Sequence, residues 1–349
     1  MDIFTNNPKR ILIIRTDRLG DVILSTPAIK NIRNYYPNAY LAFMCRPYTK
    51  DALNGNPYLD EIIVYDKDKR HKNFLATLWF SFTLRKYKFD LAIILHPTNR
   101  VNLLTFFSGI PRRVGWNRKL GWLLNVPIEH LKQEGTKHES EYTLDILREI
   151  GIPIVDRDLY FPIHKDAEHS IETILARHGI SENDPFIVIH PSASCPSKRW
   201  PQEHFSQLVK LLKEKTKMKI VVITAEREKA YAQKIVGENS VIDLRGNLTI
   251  SEVGSLLKRS RLFISNDSGP VHIAAALRIP VISIFGRSDP GLSPERWKPL
   301  GNKSIYLHKN VGCFECLAHN CTKNFLCLTS ITPDNVLEKA LYLLNSDKS

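Results

Sequence analysis

The chain has 349 residues, enough for two domains of ordinary size, and its 43% hydrophobic and 24% charged content is that of a globular protein rather than a disordered or fibrous one. Forty-nine lysines and arginines against 36 acids leave a net charge of +13, which favours polyanionic partners: nucleic acid, an anionic membrane face or a phosphorylated substrate. No basic arm, zinc finger or RNP-like aromatic motif is present, which argues against nucleic acid, and the longest strongly apolar run, near Leu75–Leu84, is too short to span a bilayer. No secretory signal precedes the first strand, so a cytoplasmic location is expected.

From the N-terminus, RILIIRTDRLGDVILSTPAIK (10–30) reads as strand, Gly-containing turn and helix, and ILII is apolar on both faces, as in a central parallel strand. The turn carries Asp17, Arg18 and Asp21, and Asp21 is either a helix cap or a carboxylate displayed at the end of the sheet. Further strands are predicted at Tyr40–Met44, Glu61–Tyr65, Leu91–Leu95 and Arg113–Gly115, with helices between them and a helix over 132–150. His96, Asn99 and Arg100 follow the fourth of these strands. Arg112 and Arg113, at the entrance to the fifth, are two guanidinium forks suited to phosphate or carboxylate, or else a basic strand end.

Residues 1–165 thus read as one Rossmann-like domain, 166–184 as a connection and 185–349 as a second domain. The alternation restarts at Phe186–His190 and continues through strands at Lys219–Thr224, Val241–Asp243, Arg261–Ser265 and Pro280–Phe285, with an amphipathic helix at Thr332–Asn345. After the first of these comes HPSASCPSKRWP (190–201), in which Ser192, Ser194 and Lys198 can meet a phosphate. The segment LFISNDSGPVHIAAALR (262–278) is a buried strand, a polar turn and a small-residue helix. Asp267 or Ser268 caps that helix, Gly269 lets a ligand approach the backbone, and the helix N-terminus favours an anion such as a nucleotide pyrophosphate.

The ordered set RLGDVILSTPAIKNIRNYYP, GNPYLDEIIVYD, IPRRVGW, HESEY, HPSASCPSKRWPQEHF and NDSGPVHIAAAL resembles the glycosyltransferase family that contains the ADP-heptose:lipopolysaccharide heptosyltransferases, over nearly the whole chain. The resemblance implies a GT-B fold: α/β, two Rossmann-like domains whose parallel sheets face each other across a cleft. It implies an inverting transfer of L-glycero-D-manno-heptose from ADP-heptose to the inner core of lipopolysaccharide, at the cytoplasmic face of the inner membrane. The RLGDVILSTPA segment and the late cysteines lean toward the enzyme that adds the second heptose. By the same resemblance Asp21 is the general base, with Asp17 its competitor, and Lys198 stabilises the leaving diphosphate. Ser192, Ser194, Ser268, Gly269, Asp267 and His272 bind the donor. Glu228, preferred over Glu226, holds the ribose, although the usual Gly-Gly turn is missing before it. Arg18, His96, Arg112 and Arg113 face a Kdo–lipid A type acceptor, and the basic charge suits peripheral contact with the anionic membrane surface. No cofactor or catalytic metal is implied.

Four of the six cysteines cluster as Cys313, Cys316, Cys321 and Cys327. They are a structural metal site, free thiols or disulfides; the spacing lacks the paired C-x-x-C knuckles of a zinc ribbon. Two other readings stay open: a family member using another nucleotide sugar or a capsule or O-antigen acceptor, and a non-catalytic nucleotide-binding relative.

Overall fold

The computed structural model describes residues 7–313, 316 and 320–346. It divides into two compact units, one running to Gln133 and including Glu139–Pro162, the other made of Glu134–His138 and the chain from Ile163 onward.

In the first unit the strands are β1 (Arg10–Ile14), β2 (Tyr40–Cys45), β3 (Glu61–Val64), β4 (Leu91–Ile94), β5 (Arg112–Trp116) and β6 (Val126–Ile128). They form one six-stranded sheet in the order β3-β2-β1-β4-β5-β6, and every pair is parallel. Its helices are α1 (Leu19–Ile23), α2 (Thr26–Tyr35), α3 (Phe74–Arg85), α4 (Asn99–Phe107) and α5 (Glu139–Glu149). Alternate residues of β1 enter separate cores, Ile11 and Ile13 on one face and Leu12 and Ile14 on the other. That is why the ILII run is apolar throughout.

The second unit repeats the plan with β7 (Phe186–His190), β8 (Lys219–Val222), β9 (Ile242–Asp243), β10 (Leu262–Asn266), β11 (Val281–Phe285) and β12 (Ser304–His308). The order is β12-β11-β10-β7-β8-β9, again all parallel. Its helices are α6 (Lys165–Arg177), α7 (Gln202–Thr216), α8 (Gln233–Glu238), α9 (Ile250–Arg259), α10 (Gly269–Ala276), α11 (Pro294–Trp297), α12 (Leu326–Thr329) and α13 (Pro333–Ser346).

The strand order reverses between β1 and β4 in one sheet and between β7 and β10 in the other. At such a point the two flanking loops leave in opposite directions and open a crevice beyond the carboxyl ends of the strands. Both motif-bearing turns are in this position.

Three expectations change. The helix expected over 132–150 begins only at Glu139; before it lie a 3-10 turn at Lys132–Glu134 and Gly135 at φ +62°, a backbone state that breaks a helix. Residues 166–184 are helix α6 and its exit, and α6 packs on α9 within the second unit; its apolar stripe Ala167, Ile171 and Leu175 is buried there. Strands β6 and β12 were not anticipated. Both are half-buried edge strands, and β6 contains Pro127, which an edge tolerates.

Candidate active site residues at two sheet switch points

The first turn is built on Arg15, which follows β1 and is 2% exposed. Its Nε donates to Asp17 at 2.9 Å, and its Nη2 donates to Asp21 at 2.6 Å and to Glu139 at 2.9 Å. Lys132 Nζ meets the same Glu139 oxygen at 2.6 Å. Three carboxylates therefore share two cations in a water-poor pocket, and one negative charge is in excess. The strain falls on Asp21: burial first, then the charge of Asp17, raise its pKa to about 6 against the pull of Arg15. A carboxylate so tuned is ionised at neutral pH and still basic enough to accept a proton.

Asp21 is not the cap of α1. The N-cap is Arg18, whose side chain makes no cap hydrogen bond. Arg18 is exposed beside the turn. His96, just beyond β4 on the other side of the switch point, has Nδ1 3.6 Å from Asp17. Burial and the neighbouring Arg15 bring its pKa down to about 4, so it is a neutral imidazole at physiological pH.

Arg112 and Arg113 do not join this group. They start β5, and in the sheet register it is Gly115, not Arg112, that lies level with Ile94 and Ile14. Three residues of strand place Arg112 roughly 10 Å back toward the amino end. Arg112 Nε donates to the carbonyl of Asp90 at 3.1 Å. Arg113 Nε donates to the carbonyl of Leu123 at 2.9 Å, and its guanidinium also covers the Phe106 ring. Arg100 likewise caps the carbonyls of Lys67, His71 and Lys72. In a parallel sheet the site opens where strands end, so residues that begin a strand face away from it.

In the second unit the loop after β7 and the turn after β10 are fastened together by Asn266. Its Oδ1 accepts from the Trp200 N–H at 3.0 Å and its Nδ2 donates to the Pro191 carbonyl at 2.7 Å. Trp200 is buried and donates Nε1–H to the Ile331 carbonyl at 2.8 Å. This holds Lys198 where its Nζ reaches Asp267 Oδ2 at 2.7 Å. Arg287, after β11, reaches the same oxygen at 3.2 Å. Burial would lift the Asp267 pKa, but Lys198 and Arg287 together hold it below the usual carboxylate value. The balance here is inverted: two cations to one anion.

Ser268 is the N-cap of α10 but makes no cap hydrogen bond. Its hydroxyl lies 2.8 Å from that of Ser265 and 3.3 Å from Nδ1 of His190, while Ser192 occupies the other ring nitrogen of His190 at 3.1 Å. Burial takes the His190 pKa to about 4, so this hydroxyl–imidazole chain is uncharged at neutral pH. The N-terminus of α10, with Gly269 first, therefore has no acceptor from its own cap residue, the arrangement in which an external anion is favoured. His272, one turn along α10, is buried with Nδ1 unpartnered, and burial together with His138 lowers its pKa to about 3. Ser194 is exposed in the loop after β7. Of the two glutamates after β8, Glu228 is largely buried and its charge acts on His190, whereas Glu226 turns to solvent and pairs with Lys229 at 2.7 Å.

The four clustered cysteines line one cavity of about 450 Å³ in the second unit, together with Ser197 and Arg287. All are free thiols, and among the described residues no three His, Cys, Asp or Glu side chains are grouped to hold a metal ion. The Cys327 thiol is pushed up by burial and by Cys316 and Cys321, and the Arg287 backbone N–H donates to it. The cluster thus backs the loop that delivers Arg287.

Arg15, Glu139 and Arg287 were missed as site residues. Each lies one step from a motif residue: Arg15 precedes the acidic turn, Glu139 stands in HESEY, and Arg287 follows the strand after the NDSGP helix.

Comparison with known proteins agrees with this fold. The chain is 24% identical to lipopolysaccharide heptosyltransferase 2 of Escherichia coli over 351 residues, covering 97% of this chain and 100% of that protein. Its fold matches the crystal structure of a family 9 glycosyl transferase from Veillonella parvula with a TM-score of 0.87 at 24% identity, covering 97% and 98% of the two chains. It matches the E. coli ADP-heptose lipopolysaccharide heptosyltransferase II with a TM-score of 0.77 at 23% identity, covering 97% and 100%. These are GT-B folds, as is this one. The profile of glycosyltransferase family 9 (heptosyltransferase) matches residues 79–326, and this chain is a member of that family and a glycosyltransferase.

Proposed function

We propose that this glycosyltransferase moves L-glycero-D-manno-heptose from ADP-heptose onto the inner core of lipopolysaccharide with inversion, adding the second heptose, at the cytoplasmic face of the inner membrane. The observation that carries the reading is the Lys198–Asp267–Arg287 cluster beside the open N-terminus of α10. It holds a positive excess where a diphosphate has to be received and later released as ADP. Relatives that match over nearly the full chain length carry the names lipopolysaccharide heptosyltransferase 2 and lipooligosaccharide heptosyltransferase 2, which supports this reading.

In this reading Asp21 takes the proton of the acceptor hydroxyl as its oxygen attacks the anomeric carbon. The bond from that carbon to the phosphate oxygen breaks. Lys198 and Arg287 neutralise the charge that develops on the leaving ADP, and the Gly269 N–H and Ser268 hydroxyl hydrogen-bond to it. Asp267 and His272 contact the heptose, Glu228 the ribose, and Ser192 and Ser194 border the phosphates. Arg18 and His96 border the acceptor, which is a Kdo–lipid A type glycolipid. Two protein cations supply the charge that a metal would otherwise bring, so the reading calls for no metal or other cofactor, and turnover undiminished by EDTA is expected.

The test is ADP release from ADP-heptose with deacylated Kdo–lipid A, with and without a first heptose. Release only with the heptosylated acceptor supports the second-heptose assignment. Release only with the bare acceptor moves the enzyme to the first heptose. Measurable ADP binding without release from either overturns the substrate assignment.

A further inference from the structure

Between Lys69 and Ile128 the sequence holds eleven lysines and arginines and one acid, Asp90. Helix α3 lies inside this stretch, and its anchor to the core is Leu84, with Phe80 packed alongside. Its buried side also carries Thr77 and Ser81, whose hydroxyls bond to backbone carbonyls, whereas the large apolar Leu75, Trp79 and Phe82 stand on the outer side at 66%, 74% and 46% exposure. Their spacing of four and three residues makes one continuous face, and Trp79 and Phe82 touch edge to face at 6.2 Å between ring centres. Helix α4 packs beside α3 and adds exposed Phe106; the 3-10 turn Gly121–Leu123 packs on α4 and adds Trp122, 76% exposed. Exposed large apolar side chains gathered on neighbouring elements in this way mark an interaction surface.

The rim decides the partner. Exposed Lys69, Arg70 and Lys72 precede α3, exposed Arg85 ends it, and exposed Lys86 and Lys88 follow. Aromatic and aliphatic side chains flanked by lysine and arginine are the composition that lies in the headgroup region of an anionic bilayer. At 12 residues α3 is too short to cross a bilayer, and no helix among the described residues is long and apolar enough to do so. A second copy of the chain would bring an identical positive rim against this one.

We propose that the outer face of α3, continued by Phe106 and Trp122, docks the first unit onto a bilayer rich in anionic phospholipid, with the apolar side chains at acyl depth and the cations at the phosphates. This locates a surface for the membrane contact in the proposed function and rests on that reading, but a separate measurement decides it. The full-length chain is sedimented with vesicles of phosphatidylglycerol and phosphatidylethanolamine, and with phosphatidylcholine vesicles. Binding is expected on the anionic vesicles only and should weaken with salt. It should fall at least about tenfold in Trp79→Ser/Phe82→Ser and about fivefold for each of Lys69, Arg70 and Lys72 changed to Gln. Turnover on the soluble deacylated acceptor should stay at the wild-type level in all of these, which shows that they fold. Failure of the wild type to bind anionic vesicles, or unchanged binding by the Trp79/Phe82 variant, overturns the proposal. So does light scattering that shows a dimer which this variant dissociates. Absence of turnover in the wild type speaks against the heptosyl reading alone; the vesicle result still decides the surface.

Discussion

Replacing Asp17 by asparagine separates the two acids of the first turn. Both bond to the Arg15 guanidinium, at 2.9 and 2.6 Å, so their carboxylates sit about 5 Å apart. At an effective dielectric of about 20 this repulsion is about 3 kcal/mol, and partial exposure of Asp17 reduces the effective value to roughly half. At 1.36 kcal/mol per pH unit, Asp17→Asn should lower the Asp21 pKa by about one unit, from its starting value of about 6. A general base must be deprotonated in the free enzyme, so kcat/KM falls as pH drops through that pKa. The acidic limb should therefore move down by about a unit, with the plateau retained. Glu139→Gln should move it the same way by less, and Arg15→Gln should move it up, because the cation that stabilises ionised Asp21 is gone. The assay is ADP release measured from pH 4.5 to 9. Loss of turnover at every pH in Asp17→Asn would make Asp17 the base, and an unmoved limb would refute the electrostatic account.

Three other outcomes follow from the same geometry. Asp21 is raised from 3.8 to about 6 on folding, so the folded state holds its proton more tightly and stability is lost as pH rises between those values. Asp21→Asn should abolish turnover yet stabilise the fold by about 2–3 kcal/mol at pH 8; a thermal-melt gap that fails to close below about pH 4 contradicts this. Lys198→Met should lower kcat by about a hundredfold or more, since it removes charge stabilisation of the leaving group; equal kcat with a raised KM would show that Lys198 only binds. Gly135→Ala would place a Cβ 1.9 Å from the Pro290 carbonyl at φ +62°, and should cost about 2 kcal/mol or more, read as a melting temperature roughly 5 °C lower.

Much of the fold was legible because buried parallel strands are written as continuous apolar runs: ILII, LAII, FIVIH and VISIF all form central or near-central strands. Edge strands β6 and β12 lack that signature, since one side of each faces solvent and VPI even carries a proline. The candidate site was legible where its residues stand on a turn or loop that follows a strand, as at Asp21, Lys198 and Asp267. It was illegible where a candidate residue meets its partner only through the fold. Nothing local to Glu139, 124 residues from Arg15, announces a buried ion pair, and only the fold brings Arg287 to Asp267. Arg112 and Arg113 failed for the converse reason. Their chemistry suits an anion, but a strand's first residues point to the end of the sheet away from the crevice.

The two switch points pose opposite electrostatic problems on the same scaffold. The first holds an excess negative charge that makes one carboxylate basic, and the second an excess positive charge that only an incoming anion can balance. The second imbalance can be measured without turnover. In Asp267→Asn, Lys198 and Arg287 lose the carboxylate at 2.7 and 3.2 Å, and both are largely buried. Breaking a buried pair in this way costs about 3–5 kcal/mol, so the variant should melt well below the wild type. ADP brings a diphosphate to those same cations but lacks the sugar that Asp267 is proposed to hold. It should therefore bind the variant more tightly than the wild type, where it has to compete with Asp267. Stabilisation by ligand grows as RT ln(1 + [L]/Kd), so at one ADP concentration the rise in melting temperature should be larger for Asp267→Asn. A smaller rise would mean that Asp267 binds ADP directly or orders the loop that does, and that the cation excess is not what receives the diphosphate.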